Sequence, residues 1–492
     1  MSFPWLTTLV AVPLIGALLV ATLPRDDRTA RRVALAFALV AVVVLALAAT
    51  RFRVGGPGFQ LAERHSWIPQ FGISYSLGLD GVGLTLVALT VVLTPLVIAA
   101  GQAGRGYFAL VLVLEAITIG VFAATDVFLF YVLFEVMLIP MYFLIGRYGG
   151  PRRAAAAMKF LLYSLFGGLI MLAAVIALGV RAGTFDLPAL VEAVQQGTLR
   201  LDPVTGRLLF AGFFLAFAIK APLWPLHSWL PGAVAESTPG GAVLLVAVLD
   251  KAGTFGMLRY CLQLFPEASR FFTPLVVVLS VIGIVYGALV AIGQPEITRL
   301  IAYTSLSHFG FITLGVFAMT TQSQAGAAFY MVSHGLSAAA LFLLAGFLIK
   351  RHGSSHIADY GGVQRVAPVL AGTFLFAGLA TLALPGLSGF VAEFLVLVGT
   401  FTTHPVAAVI AAGGVVLAAV YVLWLYQRTM TGHARPWTEG VRDLGTGERW
   451  VVAPLLALIL ILGLYPKPVL DVIEPVVAGT AQQAGIAGGE QP

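Results

Sequence analysis

The chain has 492 residues but a single cysteine, Cys261, and its Asp, Glu, Lys and Arg together make up only 10%. One cysteine excludes a disulfide framework and any iron–sulfur or zinc site ligated by cysteines of this chain. None of the eight histidines stands in an HExxH or CxxCH pattern, so the motifs of zinc hydrolysis and covalent haem are missing as well. Soluble domains carry about 25% charged and about 45–50% apolar residues. Here 59% of residues are hydrophobic and the mean hydropathy is +0.97, which points to a polytopic membrane protein. The formal charge of +6 does not imply nucleic acid, because the basic residues fall in connections between apolar runs, where topology accounts for them. The first run, Phe3 to Leu23, has no basic region before it and reaches spanning length, so a cleavable signal peptide is not expected.

Apolar runs of about twenty residues read as spans. They fall near 3–23, 30–50, 79–100, 105–124, 127–147, 159–181, 207–229, 239–263, 271–292, 298–320, 325–349, 368–398, 405–427 and 450–466. The expected fold is thus all-α, with about fourteen transmembrane helices in one domain covering 1–492. Connections are short except 51–78, 182–206 and 428–449, and none could hold a soluble domain. About seventeen basic residues lie on the odd-numbered connections, and about nine on the even ones and the C-terminal tail. The positive-inside rule then places the odd connections in the cytoplasm and both termini outside.

Four ionisable residues lie near span centres: Glu135 in FYVLFEVMLIP, Lys220 in AFAIKAPLWP, Lys251 in VLDKAGTFG, and Glu393 in LSGFVAEFLVL. A lysine at a bilayer centre costs roughly 2.5–3.5 kcal/mol on insertion scales, and a chain rarely bears that twice without using it. Two of only five lysines are placed so, whereas the arginines sit in loops or near span ends. Arginine stays protonated in proteins, while a desolvated lysine can release its proton, so lysine is the type a proton carrier needs. Pro222 and Pro225 follow Lys220, and Pro385-Gly386 precedes Glu393. Each half therefore pairs a predicted helix break with an intramembrane charge, the arrangement that marks ion pathways in transporters built from repeats.

Two readings of Glu135 and Lys220 follow. They form a buried ion pair that only holds helices together, or the carboxylate modulates the lysine by favouring its charged form against burial. His308 and His334 lie among Ser, Thr and Gly, which suits a hydrated polar line, and His227 and Glu115 are further relay candidates. Asp126 and Glu236 are expected at helix ends as caps. Asp250, directly before Lys251, points about 100° away from it on a helix, and the sequence leaves its partner open.

The motifs FYVLFEVMLIPMYFLIGRYGG, AFAIKAPLWPLHSWLP, VLDKAGTFGMLRY, IAYTSLSHFGFITLG, MVSHGLSAAALFLLAGFL and LPGLSGFVAEFLVL occur in order. Together they resemble the antiporter-like, proton-translocating membrane subunits of respiratory complex I, NADH:quinone oxidoreductase, over about residues 75–430. The resemblance implies two inverted five-helix repeats, near 105–263 and 271–427, each with one broken helix and flanked by helices in 1–100 and 450–466. It implies Glu135 and Lys220 as a modulating pair, Lys251 as central relay, Glu393 as terminal exchange site, and His308 and His334 as connecting relays. Glutamate rather than lysine at 393, and an end soon after the last span, separate the chain from the L-type and N-type (NuoL-like and NuoN-like) subunits, which become its expected neighbours.

The implied role is that of a non-redox subunit in the bacterial inner membrane. It would hold no cofactor itself, with FMN, iron–sulfur clusters and quinone in other subunits, and its partners would be those subunits, the lipid bilayer and protons. The alternatives are an Mrp-type cation/proton antiporter subunit, a membrane subunit of a related hydrogenase, or a scaffold with inert buried pairs. The stretch PLHSWLPGAVAESTPGGAV departs from the family at Gly232 and Val234, where an acid and a histidine are usual.

Overall fold

The computed structural model describes residues 3–22, 26–101, 103–435 and 441–483. α1 (Trp5–Thr22) and α2 (Asp27–Ala49) pack together and lead into an antiparallel ribbon, β1 (Gln60–Ile68) and β2 (Ile73–Leu79). α3 (Gly81–Ala100), α4 (Arg105–Ala123), α5 (Val127–Tyr148), α6 (Arg153–Ala182) and the short α7 (Leu187–Gln195) follow. α8 (Pro203–Lys220) stops at the buried Lys220, and the chain resumes as α9 (Leu230–Glu236). Next come α10 (Pro239–Leu264), α11 (Pro266–Ile292), α12 (Ile297–Phe317) and α13 (Thr321–His352). A second interrupted element, α14 (Pro368–Thr381) and α15 (Ser388–Thr403), precedes α16 (Pro405–Met430), α17 (Thr446–Leu464) and α18 (Lys467–Gln483).

Among the described residues, thirteen helices are long and apolar enough to cross a bilayer. They match thirteen of the fourteen expected spans. The remaining one, 368–398, is the α14–α15 pair, whose halves are each too short to cross alone. The breaks lie where the proline positions predict. Pro222 and Pro225 cannot donate to a helical ladder, and the second break carries Ala383 and Gly386 at positive φ beside Pro385. Further elements lie outside the expected spans: the long connection at 51–78 holds the ribbon, that at 182–206 holds α7, and α18 lies beyond the last span, packed on α3 and α13.

The bundle has a buried centre and an apolar exterior. α13 is buried without interruption from Ser323 to Leu348, and α10 and α12 are at least as enclosed. The outer helices α1, α2, α11 and α16 expose Leu18, Val43, Leu275 and Val409. A bilayer solvates such faces as water cannot. Polar groups are therefore concentrated on the innermost helices, where they are out of reach of both lipid and bulk water.

Helix ends are fastened as orphan backbone groups require. Asp126 caps α5, accepting from Phe128 N at 2.9 Å and Leu129 N at 3.0 Å, and also accepts from Ser74 N of β2 at 3.0 Å. Glu63 of β1 accepts from Leu6 N at 2.7 Å and Thr7 N at 3.1 Å, so the ribbon caps α1. Glu236 accepts from Arg152 N at 2.8 Å, just before α6, in the helix-end role expected of it. A buried ion pair joins Arg259 of α10 to Asp80 at the start of α3, at 2.6 Å. Two isolated strand bridges tie connections together, Asp126 to Asp186 and Glu296 to His356, and the second pair follows the first at one offset along the chain.

Candidate functional site

α8 ends because Pro222 and Pro225 interrupt its hydrogen-bond ladder, and the freed carbonyl of Ile219 is taken by Trp229 Nε1 at 3.0 Å. α10 is seated against this broken end. A Cβ at Gly253 would lie 2.6 Å from Phe217 O and 2.6 Å from Ala221 N, so only glycine permits this approach. Lys220 Nζ is buried with no hydrogen-bond acceptor, above the rings of Phe134 at 5.3 Å and Phe160 at 5.4 Å. Such cation–π contacts offset part of the cost of burying the ammonium.

Glu135, on α5, packs its carboxylate against Gly168 of α6, where a Cβ would lie 2.6 Å from Oε2. Neither of its oxygens accepts a hydrogen bond. Glu135 and Lys220 are thus an unclosed pair, in contrast to the Arg259–Asp80 contact in the same bundle. A closed buried pair is held by its own attraction, whereas an open one leaves each partner free to respond to the other's charge.

α10 is not a regular helix. Wide π turns at Leu244–Leu249 and Met257–Cys261 flank Lys251, and such turns rotate side chains and release carbonyls. Val246 O accepts from Lys251 Nζ at 3.2 Å, and Nζ lies 2.6 Å from His334 Nδ1 and 4.2 Å from the centre of the Phe309 ring. From His334 the polar contacts continue through α13, α12 and α15. The His334 and His308 rings are 5.3 Å apart. His308 Nδ1 lies 2.5 Å from Tyr330 Oη and 3.5 Å from Glu393 Oε1. Tyr330 Oη donates to Glu393 Oε1, and Tyr421 Oη lies 3.4 Å from His308 Nε2. Nearby, Ser333 Oγ donates to Ser388 Oγ at 2.9 Å.

Four of the eight candidates therefore stand in one line, Lys251–His334–His308–Glu393, in which His334 and His308 are ring neighbours without a hydrogen bond between them. Glu135 and Lys220 lie at its head across a gap. His227 sits in the segment between α8 and α9, against the rings of Tyr286 at 5.2 Å and Tyr303 at 6.5 Å, with Nδ1 unpartnered. Glu115 is buried within α4, and its oxygens have no hydrogen-bond partner. The structure brings neither residue into the line. Gly232 and Val234 lie in α9, the first facing open space and the second buried, so neither offers a polar contact there. Tyr330 and Tyr421 are members that the sequence reading missed. The first sits four residues before His334, the spacing that places two side chains on one helix face.

This arrangement of charges and broken helices has counterparts. A family model described as NADH:quinone oxidoreductase/Mrp antiporter, transmembrane, matches residues 124–419. The chain belongs to this family of complex I and Mrp membrane subunits. It is 52% identical to NADH-quinone oxidoreductase subunit M of Mycobacterium tuberculosis, over 98% of this chain and 95% of the relative. Among solved structures of the family, a chain of respiratory complex I from Thermus thermophilus superposes with a TM-score of 0.90 at 32% identity, covering 98% of this chain and 100% of that one. A chain of the Mrp complex from Dietzia sp. shares the fold at a TM-score of 0.87 and 23% identity, covering 99% of this chain and 100% of its own.

Proposed function

We propose that the chain is the subunit M of an NADH:quinone oxidoreductase membrane arm and that it moves protons, driven by quinone reduction in other subunits. The observation that carries this reading is the line from Lys251 to Glu393, built of groups that each accept and release a proton and enclosed in a bundle of apolar helices. A Lys251 ammonium hands its proton to His334 Nδ1, and His334 and His308 pass it on. Tyr330 then bridges His308 to Glu393, the exchange site toward the far side. Glu135 and Lys220 set the state of the head of the line: when the carboxylate is close and ionised the lysine holds its proton, and when the charge is withdrawn the lysine releases it.

The repeats belong to the same proposal, with 105–263 and 271–427 as inverted halves. Their support is the two bridged pairs at a shared offset and the two broken helices. The protein lies in the bacterial inner membrane with both termini extracytoplasmic, which the excess of basic residues on odd connections supports. L-type and N-type antiporter subunits flank it. The chain carries no redox group of its own, and FMN, iron–sulfur clusters and quinone belong to its partners.

Purification by a tag on this chain tests the assignment. The expected isolate is a multi-subunit complex that contains flavin and oxidises NADH with quinone. Isolation of a complex without flavin or NADH oxidation, exchanging cations for protons, would place the chain among the Mrp-type antiporters instead.

A further inference from the structure

The line leaves a gap between its head and its body. Lys220 has no polar contact, and Lys251 Nζ is turned to Val246 O and His334, so the two lysines share no hydrogen bond. One titratable group stands at the gap and has no part in the scheme so far. Asp250 is fully buried, and neither of its oxygens accepts a hydrogen bond. A buried carboxyl without a partner is costly, and such groups are rare in native structures.

Its position follows from the backbone. Asp250 N bonds to Leu245 O at 3.0 Å, closing the wide turn before Lys251. Three residues later Gly253 abuts Phe217 and Ala221 at the broken end of α8, which brings this part of α10 level with Lys220. The positive charges acting on the Asp250 carboxylate are Lys220 and Lys251, and Lys220 in turn is acted on by Glu135 and Asp250.

We infer that Asp250 is a proton-carrying residue that joins Lys220 to Lys251. The Lys220 ammonium gives its proton to the Asp250 carboxylate, leaving a neutral amine and a carboxylic acid. The acid then gives the proton to a neutral Lys251 amine, restoring the carboxylate and forming the ammonium that faces His334. No net charge is created in the apolar interior in the first step, and the second separates charge only over neighbouring residues. The absence of fixed hydrogen bonds suits this role, since the acid group must turn between two partners.

This inference rests on the reading of Lys251 as a relay, and its test keeps the two apart. Asp250→Asn, Asp250→Glu and Lys251→Ala are placed in the native complex and scored for assembly by native gel and for NADH-driven proton uptake by inverted vesicles. Infrared difference spectra on quinone reduction are recorded alongside. Asp250→Asn is expected to assemble, to lower uptake about a hundredfold, and to remove a carboxyl C=O band from the difference spectrum. Asp250→Glu is expected to regain uptake and to shift that band. An assembled Asp250→Asn complex that pumps normally, or keeps every carboxyl band, overturns the inference, and impaired Lys251→Ala in the same series shows that the broader reading survives. If Asp250→Asn does not assemble, the Asp250→Glu spectrum decides, and an unshifted carboxyl band overturns the inference. Normal pumping by Lys251→Ala contradicts the broader reading itself.

Discussion

Lys251→Ala in the native complex is expected to lower NADH-driven proton uptake by inverted vesicles about a hundredfold, the scale on which a positioned acid or base contributes. Quinone-linked NADH oxidation should fall with it, while a native gel still shows the assembled complex. The reason lies in the contacts of Nζ. It is the donor facing His334 Nδ1 at 2.6 Å, and the Phe309 ring fills the remaining side, so an alanine leaves a gap with no group to deliver a proton. Lys251→Arg is expected to fail as well. A guanidinium keeps its charge, and a relay that cannot release its proton is a block. Oxidation and uptake at native rates in Lys251→Ala would leave the lysine as buried structure.

Gly168→Ala is the second large effect, and it acts without replacing a titratable group. The Glu135 carboxylate rests on Gly168, and a Cβ there would come within 2.6 Å of Oε2, closer than the atoms allow. The helix α6 is held by its neighbours, so the carboxylate is the part that moves. Displacement changes the distance over which Glu135 acts on Lys220, and an electrostatic interaction in a poorly screened interior responds steeply to distance. Uptake by inverted vesicles is expected to fall about tenfold with the complex assembled, each factor of ten being ~1.4 kcal/mol. Glu135→Asp, one methylene shorter, should recover part of the loss in the double variant although it impairs uptake alone. Additive losses in the double variant would show that Gly168 does not set the carboxylate's place.

Much of this site was legible in the sequence, and for one reason. A charge inside twenty apolar residues is costly enough to be conspicuous, so Glu135, Lys220, Lys251 and Glu393 stand out before any helix is placed. Both breaks lie at the prolines expected beside those charges, whereas Pro13, Pro95 and Pro274 sit within continuous helices. The members that escaped notice are those whose role depends on neighbours from other helices. Tyr330 and Tyr421 read as ordinary membrane aromatics, and only the packing of α12, α13, α15 and α16 turns their hydroxyls toward His308 and Glu393. His227 was a further relay candidate, yet the segment after α8 carries it to Tyr286 and Tyr303.

The fold shows a similar division. The ribbon at 60–79 was overlooked, although Ile73, Tyr75, Leu77 and Leu79 alternate with small or polar residues in the period of a strand. α18 has Val469, Ile473, Val477 and Ala481 at helical spacing, a pattern too short and too polar to register as a span. The π turns around Lys251 left no trace in composition; they lie where α10 packs between α8 and α13.

The central claim is that protons reach Glu393 along the line that starts at Lys251. The most direct test is the number of protons taken up per NADH oxidised by inverted vesicles carrying Glu393→Gln, which keeps the shape of the side chain and the acceptor for Tyr330 but cannot ionise. The account predicts an assembled complex whose coupled turnover collapses and whose residual turnover moves fewer protons per NADH than the native complex. A native ratio at a native rate would contradict it, because the proton would then leave the bundle by a route that does not pass through Glu393.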